Sequence, residues 1–135
     1  MLTPKVSICM ITYNHEKYIR QAIEGVLMQQ CDFDFELVIC NDYSSDNTDA
    51  IIQNLIKRPE NAKKIRYFNQ HKNIGMMQNF VFALQKCKGQ YIALCEGDDY
   101  WIDSLKLQKQ VDFLDTNDDY IIHSGVANIL KNGVF

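Results

Sequence analysis

The six-residue run Val6 to Ile11 (VSICMI) is almost wholly apolar. A strand can be apolar on both faces only when both faces are covered, which is the habit of parallel sheets packed between helices. A second run, Phe35 to Cys40 (FELVIC), reads as another strand. Between the two lie Tyr18, Ile19, Ala22, Ile23, Val26 and Leu27, a one-sided stripe at helical spacing. Thr12-Tyr13-Asn14 breaks the first strand, and Asn14 is placed to cap that helix. Strands alternating with helices predict an α/β fold in which a mostly parallel central sheet is flanked by helices.

The alternation continues. Asp46 is expected as the N-cap of a second helix, with Asp49 in the first turn where a carboxylate suits the helix dipole. That helix runs to about Lys57 and buries Ile51, Ile52, Leu55 and Ile56. A loop around Pro59 leads to a short strand, Ile65 to Phe68. After Asn73-Ile74-Gly75 the spacing predicts a helix with Met76, Met77, Phe80, Val81 and Leu84 on its inner face, closed by Lys88-Gly89 with Gly89 as the C′ residue. Tyr91 to Cys95 reads as a buried strand. A helix from roughly Leu105 to Leu114 is capped by Asp103 or Ser104, and Tyr120 to His123 reads as a last strand before a tail of strand or loop. With no repeat or interior linker, the 135 residues read as one domain over 1–135.

In such sheets ligands bind outside the carboxyl ends of the strands. Polar clusters fall there three times: Thr12-Tyr13-Asn14 after the first strand, Asp42 after the second, and Asp98-Asp99 after Tyr91 to Cys95. Adjacent carboxylates repel, so Glu96-Gly97-Asp98-Asp99 asks for a cation, a hydrogen-bond web or water. Hard divalent ions commonly take one or two carboxylates together with the phosphates of a substrate.

Composition narrows the class. A net charge of −3 argues against a nucleic-acid partner. The basic residues Lys57, Arg58, Lys63, Lys64, Arg66 and Lys72 form either a solvated helix end and loop or a patch for peripheral contact with anionic lipid or a polyanionic acceptor. Five cysteines form an odd set without a C-x-x-C pair, which fits a reduced, cytoplasmic compartment better than a zinc site or a disulfide framework. No stretch approaches the ~20 apolar residues of a membrane span. The opening, from Met1 to a run that stops at Thr12, does not read as a signal peptide. His15, His71 and His123 have no metal-ligand spacing and receive no role.

Val6 to Asn14 with Tyr18-Ile19 and Ala22-Ile23, then Leu37-Val38-Ile39-Cys40-Asn41-Asp42-Tyr43-Ser44-Ser45-Asp46-Asn47-Thr48, then Asn73-Ile74-Gly75 with Asn79, and finally Glu96-Gly97-Asp98-Asp99-Tyr100-Trp101 occur in this order. The series resembles family 2 glycosyltransferases of the GT-A fold, a Rossmann-like nucleotide-diphospho-sugar transferase architecture. The resemblance implies metal-dependent transfer of a sugar from a nucleotide-sugar donor, a UDP-sugar, to a glycan or lipid-linked acceptor with inversion, in polysaccharide or lipid-linked glycan assembly. It implies donor contacts from Thr12, Tyr13, Asn14, Asp42, Asn73, Gly75, Asn79 and Asp98. Asp42 would accept from the base, and Asp99, with Asp98, would hold Mg²⁺ or Mn²⁺ as the family's DXD motif does. Glu96 would stand near the donor sugar or behind the metal. Asn41 departs from the acidic residue common there. The catalytic base lies well downstream in the family. No carboxylate follows Asp119, so the chain reads as a donor-binding portion truncated on its C-terminal side. Two other readings stay open: a non-catalytic nucleotide-binding module, and a nucleotidyltransferase. The latter should carry a glycine-rich phosphate loop after the first strand, where Thr12-Tyr13-Asn14-His15 has no glycine.

Overall fold

The computed structural model describes residues 3–125 and 127–129. The two strands expected to be covered on both faces are so: all seven residues of β1 (Val6–Thr12) and of β2 (Phe35–Asn41) are buried. With β3 (Ile65–Asn69) and β4 (Tyr91–Leu94) they form a four-stranded sheet in the order β3-β2-β1-β4. Every pairing is parallel. β1 meets β2 from Val6↔Phe35 to Thr12↔Asn41, β4 joins at Val6↔Tyr91 and β3 at Leu37↔Ile65.

Alternate strand residues feed two cores, as a period of two requires. Val6, Ile8, Met10, Leu37 and Ile39 pack with α1 (Ile19–Leu27), α2 (Thr48–Ile56) and α5 (Lys106–Thr116) through Ile19, Ile23, Val26, Ile52, Leu55, Leu107 and Val111. Cys9, Ile11, Val38 and Cys40 face the other way, onto Ala83 of α4 (Met76–Lys86). A short α3 (Pro59–Ala62) occupies the loop expected around Pro59, opening on the proline whose fixed φ suits a first turn.

Five local expectations are corrected. Met76, Met77 and Val81 are exposed, and the buried face of α4 is Asn79 and Ala83. Asn79 Nδ2 donates to the Cys40 carbonyl near the end of β2, so the first turn of α4 overhangs the sheet edge and its methionines have no strand beneath them. Gly89 is not a left-handed C′ residue, since Gly75 is the positive-φ glycine among the described residues. Gly89 matters instead because a Cβ there would stand 2.7 Å from the Val6 carbonyl carbon. β4 is only half covered, with Ile92 and Leu94 exposed, because α4 packs on β1 and β2 and stops short of it. Asn14 does not cap α1, which starts at Ile19 with Tyr18 as its N-cap. Residues 120–123 form no strand. Tyr120 and His123 stack on Phe113 of α5 at 5.3 and 4.9 Å, so the segment folds back on a helix rather than onto a ladder. Part of the tail beyond it, residues 126 and 130–135, lies outside the described residues.

Candidate functional site

The C-terminal end of β1 is the hub. Its Thr12 carbonyl accepts from the Asp42 amide at 2.9 Å, and its Ile11 carbonyl accepts from the Gly97 amide at 3.0 Å. The loop after β2 and the acidic turn after β4 therefore lie on either side of the same strand end.

The first loop is fastened to the second. Asn14 has φ 55, a left-handed conformation that Asn tolerates better than most residues. That turn lets its amide donate to Ser44 Oγ at 2.9 Å while its side-chain oxygen accepts from the Ser45 amide at 2.8 Å. His15 N–H donates to Thr48 Oγ1, Glu16 N–H to Asp46 Oδ2, and Asn47 N–H to Glu16 Oε2. Asp46 also accepts from the Thr48 amide at 2.9 Å, so it braces the start of α2 and ties down the neighbouring loop. The N-cap expected at Asp46 falls one residue later, at Asn47, which makes no side-chain capping bond. Desolvation alone would raise its carboxyl, but the Thr48 hydroxyl and the Thr48 and Glu16 amides outweigh that and hold it below the ordinary value.

Asp42 is 3% exposed, and its two oxygens accept from the Ile74 and Gly75 amides at 2.7 and 2.9 Å. Asn73 Nδ2 adds a bond to the Asp42 carbonyl at 3.2 Å. The third segment is thus drawn to the end of β2 by one carboxylate. Asn79 lies below, 1% exposed, between the Cys40 carbonyl and Gln70. Asn41 is fully buried; its amide donates to Tyr67 Oη at 3.0 Å and accepts from Ser44. The Tyr67 hydroxyl donates in turn to Asp49 Oδ1 at 2.6 Å. A carboxylate at position 41 could not make that donation.

The acidic turn closes over the hub. Asp98 and Asp99 are exposed, and Asp98 Oδ2 stands 3.8 Å from His15 Nε2. His15 Nδ1 in turn lies 3.1 Å from Thr12 Oγ1. Gly97 permits this approach, since a Cβ on it would fall 2.6 Å from Thr12 Oγ1 and 2.9 Å from His15 Nδ1. Beneath the turn the Cys95 thiol is pushed up to about 12 by burial and the nearby Asp99. Burial and the neighbouring Cys87 push Cys40 to about 12. Neither is an activated nucleophile. Trp101 packs against the core with Lys106 Nζ 4.3 Å above its ring.

All three clusters read from the sequence meet at one sheet edge, with Tyr13 exposed at its rim. Sequence reasoning missed His15, Glu16 and Ser45, whose bonds cross between loops. Asn14 offered one signal, being a residue type enriched at positive φ. As a cation site, the donor set is oxygen only. Among the described residues no group of three or more His, Cys, Asp or Glu is arranged to hold an ion. Asp98 and Asp99 fit a hard ion that draws its remaining ligands from phosphate and water.

A profile described as Glycosyl transferase family 2 matches residues 7–134. The chain belongs to this family. An uncharacterized protein of Mycobacterium tuberculosis is 44% identical over 110 residues, covering 82% of this chain and 31% of that one. The structure of TarS from S. aureus in complex with UDP superposes with a TM-score of 0.70 at 29% identity, over 82% of this chain and 32% of TarS. A mannosyltransferase from Pyrobaculum calidifontis, solved with GDP-Man and Mn²⁺, gives 0.71 at 19% identity over 84% of this chain and 33% of its own, a likeness of fold. These neighbours are GT-A glycosyltransferases, and the parallel sheet with its helices is their fold. The chain spans about a third of the length of each of these proteins.

Proposed function

We propose that this chain is the nucleotide-sugar-binding portion of a metal-dependent glycosyltransferase that uses a UDP-sugar. The observation that carries the reading is the bonded convergence of residues 12–16, 42–48, 73–75 and 96–99 at the carboxyl ends of β1, β2 and β4. Thr12, Tyr13 and Asn14 would line the nucleotide, Asp42 with Asn73 and Gly75 would frame the base, and Asn79 would support that frame from below. Asp99, with Asp98, would hold Mg²⁺ or Mn²⁺. When bound, such an ion neutralises the charge accumulating on the departing diphosphate. Support for uridine comes from TarS, the solved neighbour of 29% identity, which was crystallised with UDP and also with UDP-GlcNAc.

In the transfer, an acceptor hydroxyl attacks the anomeric carbon as the bond to the diphosphate oxygen breaks, inverting that centre. A carboxylate takes the hydroxyl proton; in the family reading this base belongs to the acceptor-binding part. A glycan or lipid-linked acceptor at the cytoplasmic membrane face fits the exposed Lys57, Arg58, Lys63 and Lys72. No helix among the described residues is long and apolar enough to cross a membrane.

Calorimetry with UDP, GDP and ADP, each with and without Mn²⁺, tests the reading. Mn²⁺-dependent binding of UDP that Asp99→Ala abolishes is expected. Failure to bind any of the three defeats it, and binding that never supports transfer in the longer protein favours a non-catalytic module.

A further inference from the structure

We propose that Tyr43 supplies an aromatic face to the nucleobase of the donor. This rests on the nucleotide-sugar reading and adds to it a contact for the base. Tyr43 has φ 61, and with Asn14 it is one of two non-glycine residues at positive φ among the described residues. Asparagine tolerates the left-handed region, but a bulky side chain there is an outlier. Packing gives no reason for a tyrosine at this place. It is 57% exposed and belongs to neither core. A glycine would make the same turn without the strain.

The strain persists because both neighbours of Tyr43 are held. The Asp42 amide donates to the Thr12 carbonyl at 2.9 Å, and the Asp42 carboxylate is fixed by the Ile74 and Gly75 amides. Ser44 Oγ accepts from the Asn14 amide at 2.9 Å and donates to Oδ1 of the fully buried Asn41. The Asp42–Thr12 and Asn14–Ser44 bonds therefore bracket two tyrosines, Tyr13 on one loop and Tyr43 on the other. Both are exposed. Backbone strain over-determined by its surroundings clusters at ligand sites.

The side chain indicates which part of the ligand it serves. A tyrosine ring is a rigid, largely apolar face, and any nucleobase can stack on such a face. Diphosphate oxygens and a hydrated cation gain nothing from it. A base framed by Asp42 would lie beside the residue that follows Asp42 in the chain.

Calorimetry with UDP is run on wild type, Tyr43→Phe, Tyr43→Gly and Tyr43→Ala. Phenylalanine keeps the ring, glycine loses the ring but suits the left-handed backbone, and alanine has neither advantage. The dissociation constant should rise about tenfold in Tyr43→Gly and Tyr43→Ala, and stay within about twofold in Tyr43→Phe. Urea unfolding should order the variants differently, with a higher midpoint for Tyr43→Gly than for Tyr43→Ala. Affinity would then follow the ring and not the backbone. Wild-type affinity in Tyr43→Gly overturns the proposal. So does a loss in Tyr43→Phe equal to that in Tyr43→Ala, which would assign the effect to the hydroxyl.

A second readout is spectroscopic. The Tyr43 ring resonances, assigned by their disappearance in Tyr43→Phe, should shift on adding UDP and stay in place on adding inorganic pyrophosphate. An equal shift with pyrophosphate, or none with UDP bound, also refutes the contact. A wild type that binds no UDP brings down the nucleotide-sugar reading itself, a result distinct from unaltered binding in Tyr43→Gly.

Discussion

Gly75 adopts φ 88 and ψ 153, a combination almost closed to residues with a Cβ. Its amide is one of the two that Asp42 holds, so a change in its backbone is felt at the site. Gly75→Ala meets no atom within 4 Å, and its whole cost is conformational. A loss of about 1–3 kcal/mol should appear in urea unfolding, with weaker nucleotide binding because Asp42 loses its preferred partner geometry. Gly97 fails for the opposite reason. Its backbone is ordinary, but Thr12 is 2% exposed and cannot retreat from an added Cβ. Gly97→Ala should cost about 1–3 kcal/mol by overpacking and displace the acidic turn, so metal-dependent binding falls more than metal-free binding. Calorimetry of both variants under both conditions checks the contrast. Gly75 was readable as punctuation before a helix. Gly97 was readable only as a spacer among acids, because the atoms it must avoid come from a strand some eighty residues earlier.

At the scale of elements, the opposite edge of the sheet is closed by Glu36. It accepts from Ser7 Oγ at 2.6 Å, from Arg66 Nη1 at 2.9 Å and from the Lys88 amide at 3.0 Å. Ser7 Oγ also accepts from the Lys88 and Gly89 amides, and Arg66 Nη1 reaches the Lys86 carbonyl at 2.7 Å. The end of α4 is thereby moored to β1, β2 and β3. Desolvation alone would raise the Glu36 carboxyl, but the bonds from Ser7, Arg66 and Lys88 hold it below its ordinary 4.5. A carboxyl lowered by folding contributes stability above its unfolded value and loses it as pH falls through the folded one. Glu36→Gln should therefore be less stable than wild type at pH 7, by about 1–3 kcal/mol for a charged partner lost from buried bonds. The gap should narrow as pH falls below about 4.5. Unfolding midpoints from pH 7 to pH 3 test this; a gap that stays constant would remove the carboxylate from the account. None of this network was legible in the sequence, where Glu36 sits inside a strand-like run and its partners are scattered. α4 shows the same limit in reverse. Spacing found the helix and rightly turned Phe80 and Leu84 to the core, but it also assigned the exposed Met76, Met77 and Val81 to that inner face, because periodicity cannot see where the sheet beneath it ends.

For the whole molecule, the site was legible because a parallel sheet sends every strand's carboxyl end to one edge. Any polar residue just after an apolar strand must arrive there, whatever its partners prove to be. What could not be read was how few ligands the protein itself offers a cation. Asp98 and Asp99 are exposed, and no third His, Cys, Asp or Glu among the described residues joins them in a cage. An ion held by two carboxylates at a water-filled edge retains most of its hydration and binds weakly. On the proposed reading, a diphosphate bound beside Thr12 to Asn14 would supply the missing ligands, so metal and nucleotide should bind cooperatively. Mn²⁺ should tighten UDP at least tenfold, and UDP should tighten Mn²⁺ by the same factor, because linkage is reciprocal. Asp99→Ala should bring both factors near one while leaving the unfolding free energy within about 0.5 kcal/mol, as expected for an exposed side chain. Two titrations by calorimetry, UDP at fixed Mn²⁺ and Mn²⁺ at fixed UDP, measure the factors independently. Tight Mn²⁺ binding without nucleotide, or a factor that survives Asp99→Ala, would mean that the cation is held elsewhere on the molecule.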